Sequence, residues 1–394
     1  MSPHRAIAAV FALHGAVAGS LATRIPWIQD GLGLSPATLG FILFCPSVGA
    51  FVGMPMAARL AHRLGGTTAT RLLITVWCAA LALPALMPAP AWLFPTFLLY
   101  GAAAGMSDVV MNSHAVVVER HLGRSIMSGL HGMWSVGSLV AAGAGALAAQ
   151  AEIDARLHLG VTSLVLVALA AVAGRGLLAD TASADAPAPR RFALPSRAIA
   201  VVGLLGFCAT FAEGSSSNWS ALYLTEVTDA GPGVAAAGYT VFMFCMAGTR
   251  LAGDRFVRRF GPVATVRAGG VVAAVGGAVV VTSRVPALGI AGFALLGLGI
   301  AVIVPLVFVR AGNTGPTPGD GVAGVATITY LSGLLAPAVT GWIADGLSYP
   351  AAFGVITGVI VLVPLLAAAL RPRTTTSAPE PAAPATPAAP AGHR

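Results

Sequence analysis

The sequence predicts an all-α membrane protein of twelve transmembrane helices, arranged as two pseudo-symmetric six-helix bundles. Three observations lead there: a composition too poor in charge for water, a run of long apolar segments, and arginines that alternate between loops. Of 394 residues, 57% are apolar and 9% charged, with 48 glycines. A soluble domain carries about 25% charged residues. Lipid must therefore be the solvent for much of the chain. All 22 basic residues are arginine, which together with abundant Ala, Gly and Pro suggests a GC-rich bacterial genome. In a soluble chain a pI near 10.2 would point to nucleic acid. Here the arginines sit between apolar spans, so topology accounts for them and no nucleic-acid partner is expected. Cys45, Cys78, Cys208 and Cys245 each lie in an apolar run without a C-x-x-C pair, so neither disulfide, metal site nor cofactor is expected.

A helix needs roughly 20 apolar residues to cross the hydrocarbon core. Runs between charged or Pro/Gly breaks give spans near 6–24, 36–60, 69–88, 91–118, 126–150 and 157–178, then 198–225, 233–256, 263–283, 286–310, 321–344 and 350–370. The first mimics a signal peptide (Arg5, an apolar run, Ala18-Gly19-Ser20), but the spans that follow favour an uncleaved helix. The expected organisation is an N-terminal bundle over 1–179, a polar cytoplasmic linker over 180–197, a C-terminal bundle over 198–371 and a disordered Thr/Ala/Pro tail over 372–394.

Basic residues favour the cytoplasmic side. With a cytoplasmic N-terminus, the inner segments hold 18 arginines: Arg5; Arg59, Arg63, Arg71; Arg120, Arg124; Arg175, Arg190, Arg191, Arg197; Arg255, Arg258, Arg259, Arg267; Arg310; Arg371, Arg373 and Arg394. The outer segments hold Arg24, Arg156 and Arg284, and Arg250 falls within a span. A span count wrong by one would scramble this split, so both termini are expected in the cytoplasm. The halves also repeat. Arg63-Leu-Gly65 with Arg71 follows span two, and Arg259-Phe-Gly261 with Arg267 follows span eight, 196 residues on; Phe44-Cys45 and Phe244-Cys245 repeat in the same spans. Paired helical halves with a site between them suit a rocking transporter.

The loops after spans two and eight resemble the G-x-x-x-D-R-x-G-R signature of the major facilitator superfamily. Residues 53–65 keep Arg59, Arg63 and Gly65 but carry Ala58 or His62 where the acid belongs; Gly253-Asp254-Arg255 with Arg258-Arg259-Phe-Gly261 matches better. The chain is also similar to the MosC-like subfamily. That likeness rests on Arg24-Ile-Pro-Trp27, residues 101–112 (G-A-A-A-G-M-S-D-V-V-M-N), Val118-Glu119-Arg120 and residues 126–137. It continues in Glu213-Gly214, residues 219–224, Pro305 to Phe308 and residues 330–341. The resemblance implies the major facilitator fold and sugar-like or inositol-derived solutes. It also implies a cytoplasmic latch, to which we assign Arg59, Arg63, Gly65, Glu119, Arg120, Asp254, Arg255 and Arg259. Members often carry Asp before the tryptophan at the position of Asn218, so a coupling role there is lost or moved.

Charges inside the hydrocarbon are costly and usually face a cavity or a partner. Asp108 lies eleven residues from Glu119, about 16 Å deep at 1.5 Å per residue. Gly101, Gly105, Asp108, Asn112 and Glu119 form one small-and-polar face. Glu213 shares a face with Gly206, Thr210 and Ser217, and Ser215-Ser-Ser217 is expected to loosen that helix and offer backbone carbonyls. A carboxyl kept from water takes up a proton more readily, so Asp108 and Glu213 are the proton-coupling candidates; simple hydrogen bonding to a neighbouring helix is the alternative. Arg24 is either a substrate contact or an interface anchor, and Arg250 either pairs with Asp254 or holds a substrate or carboxylate. Among His14, His114 and His131, the last shares a face with Trp134, Ser135 and Ser138, where a sugar could stack and bond. Substrate candidates are Arg24, Trp27, Asn112, His131, Trp134, Asn218, Trp219, Tyr239 and Tyr330, with interface anchoring the alternative for the aromatics.

No G-x-x-x-x-G-K-[ST], H-E-x-x-H or G-x-S-x-G occurs, which argues against an ATP-driven pump or common hydrolase. The expectation is therefore not an enzyme but a secondary transporter of the inner membrane, moving a small organic solute by alternating access, proton-coupled, with small molecule, protons and lipid as partners and the monomer as working unit. Drug or metabolite efflux is the first alternative; span five lacks the G-P signature of drug–proton antiporters, which favours solute transport. A non-transporting membrane sensor is the alternative from another class.

Overall fold

Serine and threonine caps open many of the helices. Ser2, Ser35, Ser196, Thr317 and Ser348 each accept a backbone N–H from the first turn that follows, and proline stands at the start of several, where its missing N–H costs nothing. In the computed structural model, which describes residues 1–179, 196–314 and 317–371, the elements are α1 (Pro3–Ala22), α2 (Ile25–Gly31), α3 (Pro36–Leu64), α4 (Gly66–Ala80), α5 (Leu83–Leu86), α6 (Pro90–Leu122) and α7 (Met127–Gln150). They continue as α8 (Ala155–Gly174), α9 (Arg197–Thr228), α10 (Pro232–Thr282), α11 (Pro286–Ile300), α12 (Ile303–Gly312), α13 (Pro318–Gly346) and α14 (Tyr349–Leu366). The expected linker, apart from its last two residues, and the tail over 372–394 lie outside the described residues.

Eleven helical segments among the described residues are long and apolar enough to cross a membrane. The longest, α10, is two passes: Gly261 breaks it with φ 78°, ψ 165°. Gly65, between α3 and α4, has nearly the same backbone, φ 80°, ψ 148°. These angles are open essentially to glycine alone, so the 196-residue repeat recurs as the same turn. Twelve passes result, α1–α8 building one six-helix bundle and α9–α14 the other.

Two passes are broken by proline. In the tenth, α11 stops at Ile300 and α12 resumes at Ile303; Pro305 has no N–H to return to the Ala301 carbonyl. The third breaks likewise between α4 and α5, four residues before and up to Pro84.

Small residues let helices cross closely, which is how apolar helices gain contact when lipid is as apolar as they are. A Cβ at Gly137 of α7 would stand 2.0 Å from the Ala12 carbonyl oxygen of α1, so any side chain there would push the two apart. The outer surface is apolar: Leu139, Leu164, Phe244 and Leu365 are each more than two-thirds exposed. Such a belt is stable only against lipid.

Candidate functional site

Asp108 sits on the small-residue face of α6, where Gly101 and Gly105 bring α3 close, and is only 8% exposed. Its Oδ1 accepts a hydrogen bond from Asn112 Nδ2 at 3.1 Å, one turn on. The Asn112 amide oxygen lies 3.1 Å from His131 Nε2 of α7; with the oxygen facing it, that nitrogen donates. The His131 ring is held between Phe11 of α1 at 5.3 Å and Phe308 of α12, stacked at 5.9 Å. Tyr330 of α13 stands beside Asp108 from the opposite half, yet Oδ2 of Asp108 is buried without a hydrogen-bond partner. No cation pairs with Asp108 among the described residues, where Arg250–Glu213 forms the ion pair.

That pair is the second feature. Arg250 of α10 is 4% exposed. Its Nη2 donates to both carboxylate oxygens of Glu213 on α9, at 3.0 and 3.2 Å. Its Nε donates at 3.3 Å to the Ala301 carbonyl, the one Pro305 leaves without a helical donor. Its Nη1 lies 3.4 Å from Ser135 Oγ of α7, across the bundle interface. Ser135 in turn donates to the His131 carbonyl at 3.2 Å. Two sets of polar contacts thus meet at His131: its ring joins Asn112 and Asp108, and its backbone carbonyl joins Ser135, Arg250 and Glu213 across the interface. Of the two readings of Arg250, the pair with Asp254 does not form and the carboxylate partner does: Arg250 turns toward Glu213, and Asp254 faces α7. Nor does the serine run loosen α9, which stays helical from Arg197 to Thr228; Ser215 is buried and lies 2.9 Å from Thr340 of α13, so the run packs rather than frays.

The third feature lies where the arginine-rich loops gather. The first N–H groups of a helix have no internal partner and carry its positive dipole end. At the start of α7 two carboxylates satisfy four of them. Glu119 Oε2, from α6 of the same half, accepts from Ile126 and Met127 at 2.8 and 3.0 Å. Asp254, from α10 of the other half, accepts from Ser128 and Gly129 at 3.1 and 2.8 Å. Arg120 then caps the C-terminal end of α12, donating to the Gly312 carbonyl and the Asn313 amide oxygen, both at 2.6 Å. On the pseudo-symmetric side Ala58 replaces the acid and packs by Gly319 of α13, so the carboxylate contact is one-sided.

The other expected residues are scattered. Arg63, Arg255 and Arg259 are exposed at the arginine-rich end, with Arg259 over the Phe260 ring; Arg59 is half-buried and Gly65 forms the turn. Arg24 is buried inside the first bundle at the opposite end, donating to His158 Nδ1 at 3.1 Å, and Trp27 lies under Arg156 at 5.4 Å. Neither joins the Asp108 cluster. Trp134 donates its indole N–H to His14 Nδ1 at 3.0 Å, while His14 Nε2 reaches the Ala104 carbonyl at 3.3 Å and its ring stacks on Trp77. Trp219 packs near Tyr349 at 6.2 Å, and Asn218 is exposed and bonds back to Gly214 of its own helix. Tyr239 stands near Glu213. Sequence reasoning gave no site role to Asn313, Phe11, Ser128 or Phe308, the last two entering only as part of the family resemblance. Their contacts are long-range and carry no local signal; only Ser135 was marked, by helical spacing from His131.

A family model described as Major Facilitator Superfamily matches residues 7–318 and 202–392. An uncharacterised MFS-type transporter of Yersinia pestis is 33% identical over 355 residues, covering 90% of this chain and 92% of that one. Membrane protein MosC of Rhizobium meliloti is 30% identical over 362 residues, covering 90% of this chain and 88% of its own. Among solved structures, the transporter FucP in its outward conformation superposes with TM-score 0.77 at 15% identity, over 94% of this chain and 99% of that one. The proton:xylose symporter XylE, bound to 6-bromo-6-deoxy-D-glucose, gives 0.68 at 15% identity, over 92% and 94%.

Proposed function

This chain belongs to the major facilitator superfamily, and we propose that it is a proton-coupled secondary transporter of a small sugar-like or polyol-like solute. The observation that carries the reading is Asp108: a carboxyl buried between the halves, with no cation pairing it among the described residues and the neutral side chains Asn112 and Tyr330 beside it. Keeping such a group ionised away from water is expensive, and taking a proton relieves the cost. Glu213 has its charge compensated by Arg250, so of the two candidates Asp108 is the proton site. The Glu213–Arg250 pair, tied to Ser135, is the element that responds to it. Asn112, His131, Ser135 and Tyr330 supply the neutral donors and acceptors that hydroxyl groups pair with. Related folds include an E. coli fucose:proton symporter and the xylose symporter, which agrees with this substrate class.

Among the described residues, most of the hydrogen bonds that join the halves lie at the arginine-rich end. The alternation of arginines supports a cytoplasmic position for that end in a bacterial inner membrane, with both termini there. The conformation is then closed to the cytoplasm, and protonation with solute would release it by alternating access.

A thermal-unfolding screen against pentoses, hexoses and polyols finds a ligand; flux of that ligand into proteoliposomes at several pH values tests the rest. Asp108→Asn should abolish the pH dependence of uptake while leaving exchange of ligand down its own gradient. Glu213→Gln should slow both. Wild-type pH dependence in Asp108→Asn would remove the proton site, and a ligand bound without any flux would turn the reading toward a membrane sensor.

A further inference from the structure

The arginine-rich end holds a cavity of about 510 Å³ between α1 and α7 of one half and α10 of the other. Its outer part is cationic: Arg124, Arg255 and Arg258 line it, with His4 beside them. The acid on its wall, Asp254, already accepts two backbone N–H groups. Arg258 is anchored by one nitrogen to the Ser125 carbonyl at 3.1 Å, while Arg124 and Arg255 make no hydrogen bond to a described residue. Three guanidinium groups therefore line one cavity, with Asp254, close to Arg258, the one carboxyl among its lining residues. Its deeper part is apolar, lined by Met133, Gly248, Leu251 and Ala252. From Arg258 to Gly248 the helix rises about 15 Å, so charge and hydrocarbon are separated along the membrane normal.

We propose that this cavity binds an anionic phospholipid, its phosphate on Arg124, Arg255 and Arg258 and an acyl chain along Met133, Gly248 and Leu251. Guanidinium groups recognise phosphate through paired N–H donors. A free phosphorylated solute would satisfy the arginines but not the apolar floor, and that favours lipid as the source. Because Arg124 comes from one half and Arg255 and Arg258 from the other, the bound headgroup bridges them and biases the protein toward closure at this end. The site stands whether or not the transport reading holds.

The test is thermal unfolding of the full chain in a neutral detergent, titrated with phosphatidylglycerol, phosphatidylcholine or inorganic phosphate. Phosphatidylglycerol should raise the unfolding temperature saturably, above any effect of phosphatidylcholine. Arg124→Gln and Arg258→Gln should each weaken its apparent affinity about fivefold, the usual contribution of one basic residue to an anionic lipid surface. Arg284→Gln, at the opposite end, should not. If loss of the Ser125 contact leaves Arg258→Gln poorly folded, Arg255→Gln gives the same reading. Equal stabilisation by both lipids, or an equal loss in Arg284→Gln, overturns the site. An arginine-dependent shift with inorganic phosphate and none with phosphatidylglycerol overturns the lipid.

Discussion

Removing the Asp254 carboxylate should open the arginine-rich end by a calculable amount. Asp254 spans the halves with two hydrogen bonds to the first turn of α7, at 3.1 and 2.8 Å. A hydrogen bond to a charged group contributes about 1.5 kcal/mol net at the low end, appropriate for a half-buried carboxylate. Two of them amount to about 3 kcal/mol, with the dipole attraction included in the charged figure. Opening exposes both partners to water, so this is the difference between open and closed states. At about 1.4 kcal/mol per factor of ten, Asp254→Ala shifts the equilibrium roughly a hundredfold. A closed population near 99% would fall to about half. Asp254→Asn keeps one acceptor oxygen and should shift it about tenfold. Spin labels on His62→Cys and Ala264→Cys, both exposed positions near that end in opposite halves, report the change by electron–electron resonance distances once the native cysteines are replaced. The longer-distance population should grow in the order parent, Asn, Ala. A distance distribution for Asp254→Ala that superimposes on the parent, in protein of unchanged helical content, would refute the reasoning.

Other substitutions bear on separate links. Arg250→Ala strands the Glu213 carboxylate and the Ala301 carbonyl and should cost about 3–5 kcal/mol, whereas Glu213→Gln with Arg250→Gln should lose less than the two single changes added together, read by chemical unfolding as a double-mutant cycle. His14→Leu removes the acceptor of the Trp134 indole and the donor to Ala104, for a loss of about 1–3 kcal/mol; His14→Gln should recover part of it in thermal unfolding. Gly261→Ala and Gly65→Ala each force a side chain into a glycine-only backbone, about 1–3 kcal/mol apiece. Lying in different halves, their effects should add in the same assay.

The passes were legible because hydropathy is additive along a helix: each apolar run finds lipid whatever its neighbours do. The repeat was legible too, since a glycine-only turn needs the same residue in both halves, at Gly65 and Gly261. One detail departs from the sequence expectation, and one choice the sequence left open was settled, each for a physical reason. Ser215–Ser217 look like helix looseners by propensity, but in a membrane an unpaired backbone group costs more than a serine gains by breaking the helix, and Thr340 offers Ser215 a side-chain contact instead. Arg250 and Asp254, one turn apart on α10, look like a local pair, yet each has a stronger partner elsewhere. Glu213 gives the guanidinium a two-oxygen contact, and the α7 terminus gives the carboxylate two N–H groups.

By itself the chain determined that it must live in lipid, how many times it crosses, that it is doubled, and that acids such as Asp108 and Glu213 sit at depths where charge needs a reason. Those are properties of single residues and local spacing, and burial in hydrocarbon enforces them one helix at a time. Only the tertiary structure decided which charges are compensated: Arg250 meets Glu213 and leaves Asp108 without a cation, while Asp254 caps a helix of the opposite half. The Arg250–Glu213 pair depends on how two helices of one bundle pack, and the Asp254 contact on which faces the two bundles turn toward each other. Contacts between residues 37 and 126 positions apart leave no period or motif in the sequence to announce them.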